Sequence, residues 1–263
     1  MCHILINPYR VIQTETRTAV PCGPAGFMFP GTAVVCMSVD PDTVSTVTFD
    51  SYSTVVDVDA AEQALAERVD CDPTPVSRRW RSRSLMYTMI ANFVDAYQPF
   101  YEMNRDALTY ALATHGVDVS AEERDEILAV YHELDVFEDV RGGMERLRDA
   151  GYPLYVVSNG NPEMLASMVD HAGIGDLLVD TVSADEVGTF KPHPEIYRHA
   201  AARTGTPVDE VVHVSAGQFD IAGAVHAGMQ GAWLNREDGP QEVFGPQPDT
   251  VAGSIHAVAD GLE

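Results

Sequence analysis

The chain has 263 residues, enough for one large domain or two small ones, and its 45% hydrophobic content is ordinary for a globular protein. Its 40 acidic residues against 16 basic ones give a formal charge of −24. That charge repels the phosphates of nucleic acid and an anionic membrane surface, so neither is expected as a partner.

Residues 1–40 hold Pro8, Pro21, Pro24 and Pro30, show no clear period, and contain few acids. They read as an extension, either disordered or preceding a later start at Met37; the alternative is an extra strand over Thr32–Met37. Thr46-Val47-Thr48-Phe49 is a short β-type run ending at Asp50. Helical segments follow from about Ala60 to Phe137. One carries Met86, Met89, Ile90, Phe93 and Tyr97, the spacing of a buried helix face. Ser120-x-x-Glu123 is a capping box that opens the next helix, with Ile127, Tyr131 and Leu134 on one side.

Strands and helices then alternate. Met144 and Leu147 lie on a helix that Gly151 stops. Strands are expected over Pro153–Val157, Leu177–Val182, Val211–Val214 and Gly231–Leu234, and Asn161-Pro162 caps a helix between the first two. This alternation predicts an α/β fold, a Rossmann-like parallel sheet with helices on both faces. The predicted core is 41–58 with 138–263. The helical block 59–137 reads as an inserted cap domain.

Cys2, Cys22, Cys36 and Cys71 show no C-x-x-C spacing, and neither a disulfide framework nor a metal site is expected. There is no run of 18 apolar residues and no basic segment followed by an apolar core, so cytoplasm is the default compartment. Lys191 is the sole lysine; the other basic residues are arginines. An acid-rich, lysine-poor composition looks like that of cytoplasmic proteins from salt-loving archaea.

Four segments end a strand or closely follow one: Asp50 through Thr54, Ser158 through Asn161, Lys191-Pro192, and Ser215 through Asp220. Singly, each could be a turn or a surface charge. Together they can converge on one crevice outside the strand tips. An aspartate at a strand tip is a candidate nucleophile. A phosphatase of this design needs a second acid two places on, to protonate the leaving alkoxide, and that place holds Tyr52. A lone carboxylate suits a leaving group that needs no proton, such as a halide.

The order of these segments resembles that of the haloacid dehalogenase superfamily, and within it the L-2-haloacid dehalogenases, from about Thr46 to the C-terminus. The resemblance makes Asp50 the nucleophile, with Tyr52 and Thr54 beside it. Trp80-Arg81, Leu85, Tyr87 and Thr88 match a cap motif in which Arg81 handles halide, and Phe100 fits an apolar wall. Ser158 and Asn159 match residues that bind substrate carboxylate and halide. Lys191 and Tyr197, within Lys-Pro-His-Pro-Glu-Ile-Tyr, match the family's lysine and tyrosine, and Ser215 and Asp220 match its last motif. Phe219 stands where a family tryptophan lines the halide pocket.

The implied reaction is hydrolysis of a short L-2-haloalkanoate to the D-2-hydroxy acid through an Asp50 ester. Arg81 and Asn159 would stabilise halide, Ser158 would hold the carboxylate, Lys191 would keep Asp50 ionised, and Asp220 would orient or activate water. Neither cofactor nor metal is implied, and a homodimer through the cap is. Two departures stand out: Ser53 replaces a turn glycine, and Gly217 replaces an asparagine that helps hold Asp220, with Gln218 the nearest polar substitute. The rival readings are a Mg²⁺-dependent small-molecule phosphatase, against which Tyr52 and Ala216 both count, and a non-catalytic binder of small acids.

Overall fold

The computed structural model describes residues 39–263. The expected strand over Thr32–Met37, and all but the last two residues of the 1–40 extension, lie outside them. Six strands form one parallel sheet: β1 (Thr46–Phe49), β2 (Leu154–Ser158), β3 (Asp180–Ser183), β4 (Val211–Ser215), β5 (Gln230–Leu234) and β6 (Thr250–Ala252). Their order across the sheet is 3-2-1-4-5-6. The chain steps outward from β1 to β3 on one side, then returns to start the other side at β4. The crevice at this reversal lies over the tips of β1 and β4, where such sheets bind ligands.

The strands on either side of that crevice are buried and mostly apolar, as suits a sheet covered on both faces. β1, β2 and β4 are buried at every position. Among the expected strands β3 shifts most: it begins at Asp180 rather than Leu177, because Leu177 is still bonded to Ile174 in the turn after the preceding helix. β6 was not expected. It has three residues and lies on the sheet edge, too short for a period to register.

Between β1 and the rest of the sheet come α1 (Ala60–Ala66), α2 (Pro73–Val94), α3 (Phe100–Thr114) and α4 (Ala121–Ala129). Asp72 caps α2 by accepting from the Thr74 amide at 3.1 Å, with Pro73 at the first helical position. The Ser120–Glu123 capping box opens α4 as expected, and Ile127, Tyr131 and Leu134 are buried.

The expected buried face of α2 is wrong. Met86, Ile90 and Phe93 are 43%, 48% and 92% exposed, and Tyr97 lies past the end of the helix. The buried face is Val76, Ser77, Trp80, Ser84, Thr88 and Ala91. Small and polar residues sit there because α3 packs closely and supplies polar partners. Trp80 Nε1 donates to the Asn104 carbonyl at 2.9 Å, and Ser84 Oγ to Asn104 Oδ1 at 2.7 Å.

Five further helices flank the sheet: α5 (Asp139–Asp149), α6 (Pro162–Ala172), α7 (Pro194–Thr204), α8 (Gln218–Ala227) and α9 (Ile255–Asp260). Gly143 lets α5 touch α9, since a Cβ there would lie 2.5 Å from Ile255. The helical block is tied to the site by Asn92 of α2. Its amide donates to the Phe190 carbonyl at 2.7 Å and accepts from the Phe190 amide at 2.9 Å. Tyr97 stacks on Phe190 at 4.9 Å. No helix among the described residues is long and apolar enough to cross a membrane.

Candidate active site

Asp50 stands at the tip of β1, its amide held by the Val214 carbonyl at 2.9 Å. The turn after it is tight. Ser53 adopts φ +68°, the left-handed region that glycine tolerates and serine rarely does. Arg236 secures this turn from β5's end: it donates to the Ser53 and Thr54 carbonyls, pairs with Asp139 at 2.9 Å, and lies over the Phe137 ring.

Both oxygens of Asp50 are gripped. Lys191 Nζ donates to Oδ1 at 3.0 Å, and Thr54 Oγ1 donates to Oδ2 at 3.0 Å. Thr54 also accepts from the Ala216 amide, so β1 and β4 are stitched together at their tips. The same Lys191 ammonium donates to Asp220 Oδ2 at 2.9 Å and is 2% exposed. One cation thus serves two carboxylates.

The two acids are unequal. Burial raises the Asp50 pKa above its ordinary value; Lys191 pulls it down, but the charge of Asp220 pushes it up again. Lys191 acts to keep Asp50 ionised, and burial outweighs it. Asp220 is also penalised by burial, but Lys191, His213 and Tyr197 overcome this and hold it far below the usual carboxylate range. For Lys191, burial acts downward, and the charges of Asp220 and Asp50 prevail and raise it.

Above Asp50 is a cavity of about 300 Å³, walled by Tyr52, Leu85, Phe100, Tyr131 and Phe219, with Arg81, Asn159 and Lys191 at its polar points. Asn159 accepts from the Lys191 amide at 2.8 Å. The Tyr52 hydroxyl is buried without a partner among the described residues. Arg81 pairs with Asp59 at 2.5 Å. That pairing, between residues 22 apart, was not anticipated.

Several expected residues lie behind the wall. Ser158 is fully buried; its hydroxyl meets Ser51 at 2.6 Å and accepts from the Gly160 amide at 2.9 Å. Ser215 accepts from the Gly217 amide. Tyr197 donates to Asp220 Oδ1 at 2.5 Å, with no path to the cavity. Asp220 takes donors from Tyr197, Lys191 and His213, which hold it behind the wall. Gln218 does not replace the missing asparagine. Its side chain turns to Pro240 and Glu242. At Gly217 a Cβ would sit 3.0 Å from the Phe219 ring, which occupies that space.

His213 was missed. It lies on β4, wholly buried, with Nε2 3.0 Å from Asp220 Oδ2 and Nδ1 2.9 Å from Thr48 Oγ1. The signal was present in the sequence: a titratable residue inside the apolar run Val211–Ser215.

A family model described as haloacid dehalogenase-like hydrolase matches residues 44–228. The (S)-2-haloacid dehalogenase 4A of Burkholderia cepacia is 32% identical over 201 residues, 76% of this chain and 87% of that protein. A second (S)-2-haloacid dehalogenase, from Pseudomonas sp. (strain YL), is 29% identical over 84% of this chain and 96% of its own. Among solved structures, the L-2-haloacid dehalogenase from Xanthobacter autotrophicus superposes with a TM-score of 0.79 at 25% identity, covering 82% of this chain and 97% of that one. The same enzyme has been solved with chloropropionic acid covalently bound, with a TM-score of 0.77.

Proposed function

The chain belongs to the haloacid dehalogenase-like hydrolases, and from that premise we propose that it hydrolyses short L-2-haloalkanoic acids to D-2-hydroxy acids. The observation that carries this reading is Asp50. It is a buried carboxylate facing a small apolar cavity, gripped by Lys191 and Thr54 on its core side, with no second acid poised to protonate a leaving group.

In the proposed reaction an Asp50 oxygen attacks C2 from behind the carbon–halogen bond. The C–O bond forms as the C–X bond breaks, its electron pair leaves with the halide, and C2 inverts. Water then adds to the Asp50 carbonyl carbon. The hydroxy acid departs as its alkoxide and takes one proton from that water; the second goes to solvent, and Asp50 returns as a carboxylate. Arg81 and Asn159 stabilise halide as charge develops on it, the kind of preorganised contact that contributes most to catalysis. The unpartnered Tyr52 hydroxyl is a donor for the substrate carboxylate. Phe100 and Phe219 keep the reacting carbon dry. Ser158, Tyr197, Ser215 and Asp220 act from behind the wall, by holding the loops and Lys191.

A Mg²⁺-dependent phosphatase is the competing reading on this fold. The side chains here do not fit the cation. Magnesium asks for nearly octahedral oxygen ligation, yet the Ala216 side chain offers no oxygen, Asp220 is already engaged by three donors, and an ammonium lies against Asp50. No step is routed through a metal.

The same reading takes residues 59–137 as a cap domain, and a homodimer as the working assembly. The apolar outer face of α2 supports the dimer, since Met86, Ile90, Phe93 and Val94 are all exposed together. The acid-rich, lysine-poor composition supports a salt-adapted, cytoplasmic protein.

The test is a single turnover with enzyme in excess over L-2-chloropropionate in ¹⁸O water with EDTA. We expect chloride, D-lactate unlabelled at C2, and label in the peptide containing Asp50. Label in the first lactate, racemic product, or strict dependence on Mg²⁺ would overturn the ester mechanism.

A further inference from the structure

A central strand covered on both faces has no use for a titratable side chain, and β4 carries one. His213 is sandwiched in the sheet between β1 and β5, fully buried, with Thr48 directly opposite on β1. Both ring nitrogens must be paired at that depth, and both are. Nδ1 faces the Thr48 hydroxyl and Nε2 faces Asp220. The Tyr197 ring meets the imidazole edge-on at 5.6 Å. Sequence and fold have therefore provided a threonine, a tyrosine and an aspartate around this one ring.

The partners fix the tautomer. Asp220 is ionised and can only accept, so Nε2 must carry a proton. Nδ1 is then a bare acceptor filled by the Thr48 O–H. The Nε2–H points at Asp220.

We propose that His213 is a positioning residue: it pins Asp220 Oδ2 so that Lys191 spans Asp220 and Asp50 at a fixed distance from each. Asp220 reaches no cavity wall, so its effect on the reaction passes through Lys191. Gly217, which lines the cavity, offers Asp220 no side-chain donor, and His213 supplies one from within the sheet. Three donors on Asp220, from β4, α7 and the loop before α7, leave it one orientation. The groups facing the imidazole and its carboxylate are Thr48, Tyr197, Lys191 and, across Lys191, Asp50.

The kinetic part of this inference rests on the dehalogenase reading; the tautomer does not. His213→Phe keeps the ring's bulk and removes the donor. His213→Gln keeps an N–H donor for Asp220. With L-2-chloropropionate, His213→Phe should lower kcat roughly tenfold or more, the scale on which outer partners of metal ligands act, with little change in KM. His213→Gln should restore kcat to within about threefold of wild type. Wild-type kcat in His213→Phe, or equal losses in both variants, would overturn the proposal in favour of simple packing. Nitrogen-15 NMR of histidine-labelled full-length protein decides the matter even if no halide is released. A buried imidazole protonated at Nε2 near neutral pH, shifting on Asp220→Asn, is expected. An Nδ1–H neutral ring there would overturn the assignment.

Discussion

The guanidinium of Arg81 is paired with Asp59 at 2.5 Å, at the rim of the cavity that Asp50 floors. An anionic substrate must therefore compete with a resident carboxylate for its cation. Arg81→Ala should slow halide release at least about a hundredfold, the cost of losing one preorganised partner. Asp59→Asn should lower KM for 2-chloropropionate and leave kcat little changed. Because the pair is partly solvated, neither change should move the melting temperature much. Steady-state kinetics decide it, and a wild-type rate in Arg81→Ala would mean the cap arginine acts elsewhere.

The pH profile should carry the mark of Asp50. A nucleophilic carboxylate works only when ionised. Burial raises its pKa, so the acid limb of kcat/KM should lie above the ordinary carboxylate range. Lys191 opposes that rise; in Lys191→Met the limb should move further up and the rate fall at least about a hundredfold. Asp50→Asn should abolish turnover at every pH. A Lys191→Met limb shifted to lower pH would contradict the electrostatics described above.

Ser53 pays for its left-handed backbone. A non-glycine residue there costs on the order of 1 kcal/mol, and Arg236 is among the contacts that hold it in place. Ser53→Gly should relieve that strain, less a few tenths for the freer unfolded chain. Denaturant titration should show a modest gain in stability. A loss of more than about 1 kcal/mol would show that the Ser53 side chain, rather than its backbone, holds the turn.

Salt should stabilise the fold steeply. With 40 acids and 16 bases the compact state repels itself. Screening shortens to about 3 Å at 1 M salt, which removes most of the long-range repulsion. The melting temperature in KCl should climb from low to molar concentration, and a flat curve would leave the acid excess without a folding consequence.

The parallel sheet and the Asp50 tip were legible because strand periodicity and turn chemistry are local; the place of Lys191 followed only from the resemblance. The face of α2 was not. Met86, Ile90 and Phe93 have the right spacing for burial, yet the helix is buried through Ser84, Thr88 and Trp80. Spacing cannot say which of two stripes meets a neighbour when that neighbour, α3, offers polar groups such as Asn104. Asp220 shows a second limit. Its motif suggested contact with water, but whether a carboxylate faces a cavity or three donors depends on residues far apart in the chain: Lys191, Tyr197 and His213.

The chain's sole lysine is 2% exposed and lies between Asp50 and Asp220. Reagents that acylate, reduce onto or cross-link ε-amines therefore find no target on the folded surface formed by the described residues. The one such amine is approached through the cavity above Asp50. Acylating it would at once strip the cation from both carboxylates. In this molecule, then, uptake of an amine-specific label at Lys191 reports directly on access to that cavity, with no background from other lysines to subtract.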